Sequence, residues 1–317
     1  MRVLRKVREN RVVNSFFRKA LKKSSEISVK FHNYFISRWS TSGIIDCNFG
    51  KYKFKYFNKC DDWLAHYFYY GLPYHEKADL NLFIELSKKS ETIVDIGANT
   101  GLFSVLASKA NSRSKIYSIE PYSANADRMK INLSLNSAKN VSVHEFAIGE
   151  YDGEILIAIP KNGSVTDVSS VNVEFSKSVY PDIQWDYVLV KVKTLDNFAG
   201  ESNIHINLIK CDVESFEMSV FKGADKTLSQ DKPTILFECF LDEERKLFFN
   251  DILVKYNYYV YLILEQGVVY IKEGFISSSY GLNYLVTPVK PTRTFISYLD
   301  TEELCKELLL NPTESLL

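Results

Sequence analysis

Apolar and polar positions alternate in two distinct rhythms along this chain. Over residues 1–40, Leu4, Val7, Val12, Phe16, Ala20 and Leu21 fall on one side of a helical wheel, with Lys and Arg elsewhere. Residues 44–57 change to a period of two around Asn48-Phe49-Gly50, and "KYKFKYF" predicts a half-buried strand with one wet face. Residues 61–89 return to helical spacing, broken at Gly71-Leu72-Pro73. From Thr92 onward strands and helices alternate. "TIVDIGANTG" predicts a buried strand entering a glycine turn, followed by a helix over 102–110. A second strand is expected at 115–121, a helix at 123–137 and a third strand at 141–149. "EILIAI" at 154–159 reads as an extra strand, and "YVLVKVKTLDNF" as a further strand. A fourth core strand at 205–212 leads into a helix reaching about Leu228. A fifth strand covers 234–240, a helix 242–256, and "YYVYLIL" with "LNYLVTPV" forms a terminal pair. This alternation predicts an α/β domain, a mostly parallel sheet with helices on both faces.

Three segments stand outside that rhythm. Residues 1–60 read as a basic helical and short β extension, 160–187 as an aperiodic insertion over one face of a domain at 61–300, and 301–310 as a short helix within the tail 301–317.

Composition narrows the classes of function. Thirty-nine basic and 39 acidic residues cancel, so the whole-chain charge argues for neither nucleic acid nor membrane. Residues 1–30, however, hold ten Lys/Arg against Glu9 and Glu26. That arm suits weak contact with an anionic membrane surface, or a solvated helix face. No apolar run approaches the roughly 20 residues that span a bilayer. Five scattered cysteines without a CxxC pair read as reduced thiols, which makes the cytoplasm the expected location. No histidine spacing matches a zinc site, and no nucleic-acid motif accompanies the basic arm.

The glycine turn carries the first chemistry. In "VDIGANTG", Gly97 permits a sharp turn after the strand, and Gly101 lies in the first turn of the next helix. Asp95 at the strand end can accept hydrogen bonds from loop amides or a ligand ammonium group. The turn lacks the middle glycine of G-x-G-x-x-G and has no G-K-[ST], so neither a pyrophosphate nor a P-loop is indicated. The next strand ends in Glu120, about 20 residues on, where an acid can receive both hydroxyls of a ribose. A ribose-bearing ligand without pyrophosphate fits this pair; a purely structural strand–helix corner is the competing reading.

The segments "TIVDIGANTGLFSVLASK", "IYSIEPYSANADRMKINLSLN", "AIGEYDG", "VKTLDNF", "LIKCDVESFEMSVFKGA" and "PTILFE" resemble, in order, the FkbM-like S-adenosylmethionine-dependent methyltransferases. The resemblance covers roughly residues 70–290. It implies the class I methyltransferase fold, a Rossmann-like, mostly parallel seven-stranded sheet with order 3-2-1-4-5-7-6. It also implies S-adenosyl-L-methionine as cofactor, with Asp95, Gly97, Asn99 and Gly101 around its amino-acid end and Glu120 at its ribose. His144, Glu145 and Ala147 would flank the adenine. Asp212 and Glu214 match the family's D-V-E-G element, in which Ser215 replaces glycine. Characterised members mainly methylate hydroxyl oxygens of sugars or natural products, which makes a hydroxylated small molecule or glycan the expected acceptor.

A neutral hydroxyl attacks a methyl carbon poorly unless a base removes its proton. Asp212, expected at the carboxyl end of the fourth core strand, is the first candidate base, with Glu214 as second choice. Lys210 shares the strand face of Asp212 and can neutralise the acids or hold a substrate carboxylate. Glu238 ends the fifth strand on the same rim. Capping or loop bracing competes with each acid's catalytic role. Glu217 reads as a solvated helix-start carboxylate, and Ser215 as a harmless helix-turn residue. The insertion is the expected acceptor cover, with Tyr180, Trp185 and Tyr187 stacking on a sugar or forming its packing core. Nitrogen methylation and an inactive binding or scaffolding protein on the same fold are the alternatives.

Overall fold

The structure is a computed structural model that describes residues 41–59, 63–70, 77–161, 184–276, 282–290, 292 and 294–297, with positions 14 and 19. The expected helix over 1–40 (those two positions apart), most of the 160–187 insertion including Tyr180, and the 301–310 helix lie outside the described residues.

The chain enters through a hairpin of β1 (Ser42–Phe49) and β2 (Tyr52–Lys59), paired antiparallel along its whole length. Alternation works as expected in "KYKFK": Lys53 and Lys55 are exposed, and Phe54 is buried. Helices α1 (Trp63–Tyr70) and α2 (Lys77–Ser87) follow. The central sheet then begins with β3 (Thr92–Ile96), α3 (Leu102–Ala110), β4 (Lys115–Ile119), α4 (Ser123–Leu135) and β5 (Val141–His144). It continues with β9 (Leu208–Cys211), β10 (Thr234–Glu238), α7 (Glu243–Tyr256), β11 (Tyr259–Leu264), β12 (Gly267–Tyr270), β13 (Asn283–Thr287) and β14 (Phe295–Ser297).

This sheet runs in the order β14-β12-β11-β13-β10-β9-β3-β4-β5. It differs from the expected seven-stranded sheet in two ways. It holds nine strands, and it is mixed: β5, β4, β3, β9 and β10 are parallel, while every pairing beyond β10 is antiparallel. Hairpin closure explains the added edge, because "EQG" lets β12 fold straight back onto β11.

Period-two alternation divides the core. Ile93, Leu236, Tyr261 and Leu285 point to one face, where α2, α3, α4 and the β1–β2 hairpin pack. Val94, Ile235, Phe237, Val260 and Val286 point to the other, under α5 (Leu195–Ser202), α6 (Glu217–Lys222) and α7. Helices thus cover both faces, as buried parallel strands require.

Two local expectations are corrected. The predicted third strand leaves the main sheet after His144. Ala147 and Ile148 form β6, which joins β8 (Trp185–Lys193) and β7 (Gly153–Pro160) in a separate three-stranded sheet with its own small core. The predicted helix to Leu228 is instead α6 followed by a π-helical turn, Thr227–Asp231. Gly223 ends α6 where a Cβ would stand 2.0 Å from the Gly149 carbonyl oxygen. Asp196 then accepts the amide hydrogens of Lys226 and Thr227, both at 2.8 Å, and so starts the new turn.

Among the described residues no helix is long and apolar enough to cross a membrane, and Cys47, Cys211 and Cys239 are buried free thiols.

Candidate active site

Strand order reverses direction between β3 and β9: β4 and β5 extend to one side, β10 to the other. Open α/β sheets form their ligand crevice at such a point, beyond the carboxyl ends of the strands. The turn after β3 is held there by backbone bonds. Gly97 and Ala98 donate to the Ile119 carbonyl at 2.9 and 3.0 Å, and Asp212 N–H donates to Ile96 at 3.0 Å. Gly97 has φ +75, and a Cβ there would lie 1.8 Å from the Asp212 carbonyl oxygen. Glycine is required both for the left-handed conformation and for the approach of the two strand ends. Asn99 and Gly101 are also left-handed, at φ +49 and +87.

Glu120 joins two turns. Its Oε2 accepts the Asn99 amide and its Oε1 the Tyr122 amide, both at 2.9 Å. The carboxyl is buried, and burial pushes its pKa up to about 7 against the opposing pull of those amides and the Asn125 side chain. Asp95 is fully buried and accepts from Ser104 Oγ at 2.6 Å, while Ser104 also bonds Ser118 at 2.6 Å. Its Oδ1 finds no partner among the described residues. Burial raises the Asp95 pKa, and the Lys210 charge across the β3–β9 pairing opposes that rise.

Lys210 Nζ bonds Asp212 Oδ2 at 2.9 Å and stands 4.6 Å from the centre of the Phe103 ring. These three residues line a pocket with Asp79, Glu238 and Asn283. The structure therefore brings Lys210, Asp212 and Glu238 together, as the sequence reading expected. It adds Asp79 from the first turn of α2, Asn283 from the start of β13, and Phe103. Sequence reasoning missed Asp79, although an acid flanked by Ala78 and Leu80 in the apolar-rich "ADLNLF" was the available signal. Trp185 and Tyr187 sit on β8 and are not among the described lining residues.

Beyond Asp212 the chain takes an unusual path. Glu214 and Ser215 are both left-handed, at φ +51 and +69. Ser215 is thus not an ordinary helix-turn residue; it occupies a conformation that favours glycine. The turn tips Glu217 inward, so the expectation of a solvated carboxylate is corrected as well. Glu217 is 2% exposed. Its Oε1 accepts the Ser215 amide at 3.0 Å, and its Oε2 has no partner among the described residues. Burial, reinforced by the Asp212 charge, pushes its pKa up to about 7.

At the β5 end, His144 stacks on Tyr117 with centroids 5.9 Å apart and meets Phe198 edge-on at 5.1 Å. Burial lowers its pKa, as does Lys193. Glu145 forms a surface ion pair with Lys130, and Ala147 is buried in the small sheet.

Comparison with known proteins adds the following. The methyltransferase FkbM domain profile matches residues 95–263. Methyltransferase 1 of Beauveria bassiana (strain ARSEF 2860) is 30% identical over 144 residues, which are 42% of this chain and 58% of the relative. The chain therefore spans less than two thirds of that curated relative's length. The crystal structure of methyltransferase FkbM from Methylobacillus flagellatus KT superposes with a TM-score of 0.42 at 19% identity, covering 62% of this chain and 44% of that one. An O-methyltransferase from Bacillus cereus in complex with SAH gives 0.39 at 13% identity, covering 66% and 79%. The profile match takes in more than half of the 317 residues and runs from Asp95 through the ends of β4, β5, β9 and β10, so the chain belongs to the methyltransferase FkbM domain family.

Proposed function

We propose that the protein transfers a methyl group from S-adenosyl-L-methionine to a hydroxyl oxygen of a sugar, glycan or natural-product-like small molecule. The observation that carries this reading is the placement of two groups on adjoining strand ends: Glu120 bonded to the left-handed turn 97–101 that follows β3, and the Lys210–Asp212 pair at the end of β9, which pairs with β3. The residues fit a ribose-bearing donor. Glu120 is a buried carboxylate at the end of β4, and the turn lacks the middle glycine that lets a pyrophosphate approach. Segment 144–147 would border the adenine. When bound, the donor supplies an electrophilic methyl carbon and leaves as a neutral thioether.

The protein's own part is then positioning and proton transfer. Asp212 takes the proton of the acceptor hydroxyl as the oxygen–carbon bond forms and the carbon–sulfur bond breaks. Lys210 holds Asp212 in place from one side while its ammonium lies over the Phe103 ring. Asp79, Glu238 and Asn283 offer hydrogen-bond partners to further acceptor hydroxyls, and Glu214, two residues beyond Asp212, is the second candidate base. Held in line, donor and acceptor react as one assembly rather than by chance encounter.

The test combines calorimetry with S-adenosylhomocysteine and transfer of labelled methyl to panels of sugars and polyketides, with NMR locating the methylated atom. Asp212→Asn should lower turnover by about 10²- to 10⁴-fold and leave donor affinity nearly unchanged. Full turnover in that variant removes Asp212 from the base role; a methylated nitrogen refutes the hydroxyl acceptor.

A further inference from the structure

The β1–β2 hairpin lies outside the matched stretch 95–263, yet it is bonded to the glycine turn. The outer edge of β2 is closed by two side-chain amides four residues apart, Asn132 in the last turn of α4 and Asn136 at its C-cap. Lys55 N–H donates to Asn136 Oδ1 at 2.9 Å, and Asn136 Nδ2 returns a bond to the Lys55 carbonyl at 2.6 Å. Phe57 N–H donates to Asn132 Oδ1 at 2.7 Å. The same Asn132 donates through Nδ2 to the Thr100 carbonyl at 2.8 Å. Between these contacts Tyr56, 1% exposed, hydrogen-bonds its hydroxyl to Thr100 Oγ1.

Thr100 is therefore held at both its side chain and its carbonyl. Its neighbours Asn99 and Gly101 are both left-handed, as is Gly97 at the start of the turn, and the Asn99 amide is the one that Glu120 binds. A left-handed asparagine is not self-stabilising; it persists because the surroundings fix it. Glu120 fixes it from the sheet side, and Tyr56 with Asn132 fixes it from the hairpin side.

We infer that Tyr56 is a positioning residue for the donor, acting through Thr100 to hold the turn 97–101 in its binding conformation. The inference rests on the reading of that turn as the donor site. Tyr56 need not touch the donor: without its hydroxyl the turn samples other conformations, and binding must first select the competent one.

The experiment uses the full chain and S-adenosylhomocysteine as probe, titrated calorimetrically well below the melting temperature. Tyr56→Phe and Thr100→Val each remove the hydroxyl pair from one side. Thr100→Ser keeps it. Both removals should weaken binding about fivefold, the loss of one ordinary buried hydrogen bond. The double variant should bind no worse than either single one, and Thr100→Ser should bind as the wild type does. If Tyr56→Phe melts earlier but keeps wild-type affinity, the bond is merely structural and the inference fails. Losses that add in the double variant also overturn it, because Tyr56 would then not act through Thr100. Should Tyr56→Phe not fold, Thr100→Val against Thr100→Ser decides by the same comparison. Absence of binding by the wild type overturns the donor-site reading itself, and the inference falls with it.

Discussion

Glu120 is buried between two strand ends, and burial lifts its pKa to about 7. Only its ionised form can accept hydrogen bonds from two ribose hydroxyls at once. Affinity for S-adenosylhomocysteine should therefore rise by about tenfold between pH 6 and pH 8, as the carboxylate fraction grows. In Glu120→Gln the calorimetric profile should be weak and flat; an unchanged rise in that variant would place the titrating group elsewhere. Spacing along the sequence was enough to point to Glu120, because a strand–helix–strand unit has a nearly fixed length. Glu217 was not legible. Three residues from Glu214, it reads as a solvated helix start, and only the two left-handed residues before it turn its carboxyl into the interior.

Among the elements, the tight segment between β9 and α6 carries a testable tension. Ser215 sits at φ +69, a region that costs an L-residue roughly 1–2 kcal/mol relative to glycine. Glycine keeps the amide that Glu217 accepts, so Ser215→Gly should stabilise the fold by about 1 kcal/mol after the added freedom of the unfolded chain is counted. A higher urea midpoint with unchanged slope is the expected result; a lower midpoint would show that the Ser215 side chain contributes more than its backbone costs. Local pattern revealed β3, its turn and α3 because one uninterrupted stretch contains every determinant. It did not reveal that 154–159 would join a second sheet, since its partner Trp185–Lys193 lies beyond an aperiodic segment. Nor did it reveal the break after Lys222, which depends on Gly149 and Asp196 meeting the chain from elsewhere.

For the molecule as a whole, two buried carboxyls bias stability towards acid. Glu120 and Glu217 both titrate near 7 in the native state, against 4.5 for the ordinary group. Between those values the folded protein holds protons that the unfolded chain has released. The stability they contribute is thus fully present below about pH 4.5 and is lost as pH rises through 7. For Glu217 alone the loss is on the order of 3 kcal/mol. Chemical denaturation of the donor-free protein should show Glu217→Gln with a flatter decline from pH 5 to pH 8 than the wild type. Parallel curves would mean that Glu217 does not contribute to the slope.

The centre of the crevice joins parts of the chain made far apart in time. β3 pairs on one side with β4, some twenty residues later, but on the other with β9, and the Thr92 amide meets the Asn207 side chain across 115 positions. During synthesis, Gly97 and Glu120 leave the ribosome long before Asp212 does. Until β9 arrives, β3 has a bare side and the proposed donor site has only half a floor. Newly made chains should therefore pass through a period in which neither S-adenosylmethionine nor an acceptor can help them fold, and that long closure sets the pace of maturation.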